Sequence, residues 1–310
     1  MQVRIRALRT AAVASVVVAG SLMAVAPSAS ATFPGRNGRI AFVLGNANGN
    51  TEIATIRPNG TGLRVLTATG DNGAPAWNPS GTKIAFQSRR TGNYDVYVMD
   101  ADGSHLVQVT HRSTYEANPQ WSADGRQLAF TSDRTGAPQI FRIPVLPSIG
   151  MPVQLTAKYD GGGFFSLAWD PDGRTILGSY ATSDFDGDSV LSLYRFSAVD
   201  GSRLRFVRHG EEPDIRASDG RIVYRDHYIN VYTANRDGTG VVQVTHDTDP
   251  QQYGDVWNPN PTWSPDGALL AYTHIDGSAE DDGLYVSRPD GTGARRLLVN
   301  GGNPAWQPRP

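Results

Sequence analysis

One seven-residue phrase recurs along this chain, and its period constrains the fold more than any other feature. Pro75-Ala76-Trp77-Asn78-Pro79-Ser80-Gly81 returns as Pro119-Gln120-Trp121-Ser122-Ala123-Asp124-Gly125. It returns again as Leu167-Ala168-Trp169-Asp170-Pro171-Asp172-Gly173 and as Pro261-Thr262-Trp263-Ser264-Pro265-Asp266-Gly267. A worn copy, Pro213-Asp214-Ile215-Arg216-Ala217-Ser218-Asp219-Gly220, carries isoleucine in place of tryptophan. With Trp306 as the last key position, the spacings are 44, 48, 46, 48 and 43 residues. A fixed period of this size marks a fold built from one repeated supersecondary unit.

Each copy has four parts. The Trp phrase ends in a glycine turn. A short apolar run follows, as in Ile84-Ala85-Phe86, Leu128-Ala129-Phe130 and Ile222-Val223-Tyr224. A third run, such as Val96-Tyr97-Val98-Met99 or Ile140-Phe141-Arg142-Ile143, leads to a second turn at Asp102-Gly103, Asp200-Gly201, Asp237-Gly238 or Asp290-Gly291. The fourth run closes on Leu66-Thr67, Val109-Thr110, Leu155-Thr156 or Val244-Thr245. Four short strands per ~45 residues, joined by hairpin turns, make a propeller blade. Consecutive apolar positions suit strands buried on both faces. Composition agrees: 34 Gly and 20 Pro favour a turn-dense chain, and 6 Trp, 12 Tyr and 10 Phe supply its core.

The two ends complement each other. Arg39-Ile40-Ala41-Phe42 opens the first blade at its second strand, and Asn303-Pro304-Ala305-Trp306-Gln307-Pro308 is the unpaired phrase at the far end. The expected fold is all-β: a six-bladed β-propeller of four-stranded antiparallel blades, one domain over residues 32–310, closed by the C-terminal strand. A closed ring has no open edge, so a monomer is expected.

The repeat Trp-Ser-Pro-Asp-Gly, an Ile-Ala-Phe-like triplet and an aromatic-valine strand ending in Asp-x-Asp-Gly resemble the TolB-like propeller family over residues 37–310. The resemblance implies the six-bladed fold. It implies no single activity, because such repeats occur in Tol-Pal components, peptidase caps and sugar-processing propellers. The α/β domain that precedes the propeller in TolB has no counterpart ahead of the first blade, so a propeller-only form is expected.

Residues 1–31 read as a secretory signal peptide. Arg4, Arg6 and Arg9 precede an apolar stretch over residues 11–25, and Ala29-Ser30-Ala31 forms a small-residue cleavage site. The apolar stretch is short of the ~20 residues a membrane span needs. The expected product is secreted, extracellular or held in the cell envelope, with no membrane span once the leader is cut after Ala31. The mature chain keeps 25 basic and 30 acidic residues, a net charge of −5, with no basic cluster for nucleic acid. The absence of cysteine excludes disulfides, thiol catalysis and thiolate zinc sites.

Alternating strand directions put the tight Asp-Gly turns on one face of the ring and the longer connections on the other, where sites usually form. The turn acids are read as turn formers. Candidate ligand-binding residues on the loop face are Asn118, Asn260 and Asn303, each three residues before a repeat Trp, with Glu212 in the same register. Phe164 and Phe165 follow a triple glycine, and Tyr253, Asp255 and Trp257 lie in the longest connection. Aromatic residues beside acids suit sugar stacking or a docking peptide. Two metal readings arise. His111, His209 and His246 could converge from different blades. Asp184, Asp186 and Asp188 resemble the opening of a Ca2+ loop, but Arg195 at position 12 replaces the bidentate Glu, so any calcium site there is incomplete and weak. The alternative for these acids is a solvated loop.

No catalytic residue is assigned. The expected function is non-catalytic binding of a protein or envelope polysaccharide through the loop face and channel mouth. The alternative is a carbohydrate-active lyase or hydrolase with a metal or acidic site there. The Gly-x-Ser-x-Gly phrase of serine peptidases does not occur.

Overall fold

A computed structural model describes residues 32–309, apart from 47–48, 158–161, 184–188, 227–229, 248–259 and 276–281. The described residues form six four-stranded antiparallel sheets arranged as blades, without helix. The inner strands of blades one to six are Gly301–Arg309, Asn72–Trp77, Glu116–Trp121, Gly163–Trp169, Glu211–Ile215 and Thr262–Trp263. Blade one is closed by the two ends of the chain, as expected. Its inner strand pairs antiparallel with Arg36–Gly45, setting Trp306 opposite Ile40 and Ala305 opposite Ala41.

The repeat tryptophans hold the blades against one another. Trp77, Trp121, Trp169, Trp263 and Trp306 are at most 3% exposed, and Ile215 fills the same position in blade five. Trp121 also donates its indole N–H to the carbonyl of Ala76 in the preceding blade, at 3.2 Å. Small residues at 41, 85, 129 and 271 are wholly buried, which lets neighbouring sheets approach closely.

The outer strands of blades one, two, three and five are only two residues long, and so offer little edge for unwanted pairing. The Thr that follows each one anchors it. Thr67, Thr110, Thr156 and Thr245 accept the N–H of Ile53, Val96, Ile140 and Val231 on the third strand, each at 2.9 Å. The same hydroxyls donate to Glu52, Asp95, Gln139 and Asn230 at 2.5–3.0 Å. The turn acids behave as turn formers: Asp102, Asp200, Asp237 and Asp290 each accept the backbone N–H two residues on.

Residues 32–34 cross the ring near its axis at the turn face. Thr32 bonds to Asp214 of blade five and the carbonyl of Trp263 in blade six. Phe33, 4% exposed, joins the apolar cluster that includes Ala76, Trp121 and Trp169 of blades two to four. Adjacent Cα atoms are only 3.8 Å apart, so a two-residue segment reaches both sides of the ring only close to the axis.

Candidate functional site

Every inner strand starts on the loop face, and there the backbone departs from the pleat. Ala74, Asn118, Glu212, Asn260 and Asn303 have φ of +52, +52, +53, +59 and +57°. In five blades the ladder slips here, between Gly73 and Ala76, Ala117 and Gln120, Phe164 and Ser166, Glu211 and Asp214, and opposite Ala41–Val43, blade four doing so without a left-handed residue. In the other four this is a β-bulge with a left-handed residue, a conformation Asn tolerates better than most side chains. The Asn register singled out from the sequence therefore has a backbone cause.

The bulge turns a backbone N–H toward the preceding blade. Asn118 donates to Gln87 Oε1 at 3.1 Å, Glu212 to Ser166 Oγ at 3.3 Å, Asn260 to Glu212 Oε2 at 2.5 Å and Asn303 to Thr273 Oγ1 at 2.9 Å. Asn118 Nδ2 reaches the Phe165 carbonyl of the next blade at 2.8 Å. Blade one is tied to blade two through Thr51 and Asn72. A belt of polar contacts thus runs from blade to blade around the channel mouth. Asn118 and Glu212 are buried within it and act as staples.

Rim carboxylates are matched by arginines. The buried Glu116 pairs with the half-buried Arg134. Glu212 accepts Arg225 Nε at 3.2 Å and Nη2 at 3.1 Å, and Glu211 lies 2.6 Å from the same Nη2. Burial, and then the charge of Glu212, push Glu211 up to about 8, against the pull of Arg225.

These pairings leave a channel mouth of mainly uncharged polar groups. A cavity of about 810 Å³ opens between the loop-face ends of blades six, one and two, lined by Thr51, Asn72, Gln87, Tyr94, Asn260 and Asn303 among others. Asp71 and Asp282 also line it. Two buried atoms of this lining, Gln87 Nε2 and Asn260 Oδ1, have no hydrogen-bond partner among the described residues. The bond from the Asn118 N–H to Gln87 Oε1 settles which end of the Gln87 amide is left over. Among the described residues this lining thus presents an unmet donor and an unmet acceptor, and Asn118 Oδ1 on the same belt is a further unmet acceptor; buried sites normally satisfy such groups with water or a ligand.

The other sequence candidates divide. Phe164 is not a ligand-stacking group: it is 0% exposed and packs against Tyr180 at 4.8 Å and Phe196 at 5.6 Å, because its strand is sandwiched between blades. Phe165 is half-buried and contributes its carbonyl to the belt. His111, His209 and His246 are exposed, and His209 is engaged with Ser192 Oγ at 2.9 Å. They follow or close the outer strands of three different blades, and among the described residues no three His, Asp or Glu gather closely enough for a metal ion. Tyr253, Asp255, Trp257, Asp184, Asp186 and Asp188 lie outside the described residues.

Sequence reasoning passed over Gln87 and Thr273. A signal existed. The residue after each aromatic or apolar triplet is polar in five copies, Gln87, Thr131, Ser179, Arg225 and Thr273, and all five are buried. A buried polar side chain at a fixed repeat position calls for a partner. For Gln87 and Thr273 the partner is the bulge of the next blade, whereas Thr131 and Arg225 bond within their own blades.

Comparison with known proteins agrees with this architecture. The sequence profile of the TolB beta propeller domain matches residues 11–177. A protein TolB homolog of Chlorobium luteolum is 40% identical over 65 residues, 21% of this chain and 15% of that relative. Another, from Chlorobaculum tepidum, is 26% identical over 124 residues, 40% of this chain and 27% of that relative. The matched segments therefore span less than a third of either relative. The crystal structure of TolB from Acinetobacter baumannii superposes with a TM-score of 0.71 at 20% identity, over 88% of this chain and 67% of that one. With six blades built on this repeat, and a profile match over more than half its length, the chain belongs to the TolB beta propeller domain family.

Proposed function

We propose that the protein is exported and works as a non-catalytic binding module, taking an extended segment of an envelope protein into the loop-face channel mouth. The observation that carries this reading is the pair of unmet groups in the cavity, Gln87 Nε2 and Asn260 Oδ1. A peptide unit has one acceptor and one donor, and can answer both. The cavity is large enough for a few residues, and Tyr94 adds an aromatic surface to its wall. The resemblance to TolB homologs is in keeping with a protein-binding propeller, and the leader-like N-terminus supports export.

A photo-crosslinking residue at position 94 tests this in an envelope extract of the source organism. The expected result is a crosslinked protein segment, lost when Gln87→Glu is added. That substitution keeps an oxygen for the Asn118 N–H and replaces the unmet donor with a carboxylate oxygen, so Gln87→Met, which removes both amide groups without adding charge, serves as the second variant. Crosslinking to polysaccharide alone, or capture unaffected by Gln87→Glu, would count against the reading.

One observation favours a second reading. Glu211 is pushed up to about 8 by burial and by the charge of the adjacent Glu212, the direction a general acid in carbohydrate cleavage needs, and it opens an inner strand on the loop face. Incubation with neutral and uronic-acid polysaccharides would reveal such an activity, and it should vanish in Glu211→Gln.

A further inference from the structure

Asp214 has no counterpart in the repeat. At the position before the key residue the other blades carry Ala76, Gln120, Ala168, Thr262 and Ala305, all neutral. Asp214 is 0% exposed, and no cation pairs with it among the described residues. Its Oδ1 accepts the N–H of Thr32 at 3.1 Å and of Ile215 at 2.7 Å. Its Oδ2 accepts the N–H of Trp263 at 2.7 Å and the hydroxyl of Thr262 at 2.9 Å, and lies 2.6 Å from Thr32 Oγ1. Burial still pushes the group up to about 7 despite these donors. A site arranged to hold a carboxylate, yet lacking a positive charge, is costly to fold around.

Thr32 is the residue that a cut after Ala31 would place first. Hydrolysis of the Ala31–Thr32 bond by a leader-removing peptidase breaks the C–N bond. Water supplies OH to the Ala31 carbonyl carbon and H to the Thr32 nitrogen. The freed amine, with an ordinary pKa of about 8, takes up one more proton at neutral pH. The nitrogen on which this charge appears lies 3.1 Å from Asp214 Oδ1.

We propose that Asp214, Thr262 and Trp263 form a buried receptor for an α-ammonium group, and that its ligand is the Thr32 terminus made by leader removal. The missing charge of the site is then supplied by maturation itself. Each partner favours the charged form of the other, so the carboxylate and the ammonium are both retained at neutral pH. The contact ties blades five and six to the start of the chain where residues 32–34 cross the axis. Processing converts an amide contact into a buried ion pair and stiffens the ring. The inference rests on leader cleavage and is independent of what the loop face binds.

Lys83 and Lys158 are the only lysines, so amine acylation of the mature chain reads just three groups. N-terminal mass analysis of the exported protein tests the cut first: a start at Thr32 is expected, and any other start overturns the proposal. The purified protein is then treated with an amine-acylating ester, folded and in urea, and the tryptic peptide covering residues 32–36 is quantified. The Thr32 amine should react at least about tenfold more slowly in the folded protein, as expected of a group that reacts only when its surroundings open. Asp214→Asn should abolish that protection. A second variant with one glycine added before Thr32 keeps Asp214 intact and moves the charge out of the receptor. It should melt lower than the mature protein and acylate at the unfolded rate. Equal rates folded and unfolded in the native chain overturn the proposal, as does a glycine-extended form that melts and acylates like the native chain.

Discussion

Glu211 and Glu212 are adjacent in the chain and differ in chemistry because their surroundings differ. Glu212 is buried and locked between Arg225 and the bulge of blade six, whereas Glu211 is half-buried, shares the same Arg225 Nη2 and is pushed up to about 8 by desolvation and by the charge of Glu212. Unfolded, Glu211 releases its proton near its ordinary value of 4.5. Between these two values the folded state holds the extra proton. Stability therefore falls as pH rises through the window, by at most about 1.4 kcal/mol per pH unit for one proton. Urea midpoints measured from pH 5 to 8 should decline more steeply for the native chain than for Glu211→Gln, and equal slopes would show that Glu211 titrates normally. Residues like these were only half legible in sequence. Asn118, Asn260, Asn303 and Glu212 stood out by register, but the reason is a left-handed bulge, which depends on how one sheet meets the next. Phe164 looked like a surface aromatic because its glycine-rich approach resembles a loop, yet the strand buries it.

At the level of the strand, the Leu-Thr and Val-Thr endings repay attention. A two-residue outer strand has too few ladder bonds to stay in place by itself. The Thr hydroxyl adds one acceptor for the third strand and one donor to its first polar side chain, in four blades alike. Thr110→Val preserves volume but leaves the buried N–H of Val96 and the carboxylate of Asp95 short of a partner. The expected loss is about 1–3 kcal/mol in chemical denaturation. Thr110→Ser keeps both bonds and removes one methyl, about 0.8 kcal/mol. If serine costs as much as valine, packing and not the hydroxyl holds the strand. These endings were visible as a repeated dipeptide, and their partners Glu52, Asp95, Gln139 and Asn230 were equally visible as the polar residue just before Ile53, Val96, Ile140 and Val231.

Across the whole molecule, stability depends on the ring being shut. The strand Gly301–Arg309 brings Trp306 against the second strand of blade one and leaves no inner edge unpaired. A chain ending at Asn300 loses the burial of that tryptophan, ~3–5 kcal/mol for the side chain alone, against a total of ~5–15 for a typical protein. It should melt far lower and elute as aggregate in size-exclusion chromatography. A melt like that of the full chain would mean that blade one is stable without its inner strand.

The amino-acid sequence by itself determined the six blades, the order of strands within each, the turn acids and the closure by the C-terminus. All of these follow from patterns a few residues long that recur at one period, so local turn chemistry and alternating burial were enough to read them. Tertiary structure alone decided which polar groups are spent and which remain. Arg225 neutralises Glu212, Gln87 gives its oxygen to the next blade and keeps a donor for the cavity, and Thr32 meets Asp214 across 182 residues. Such pairings join positions with no shared local pattern. They exist because closing a ring brings the first and last parts of the chain, and the faces of neighbouring sheets, within hydrogen-bond distance.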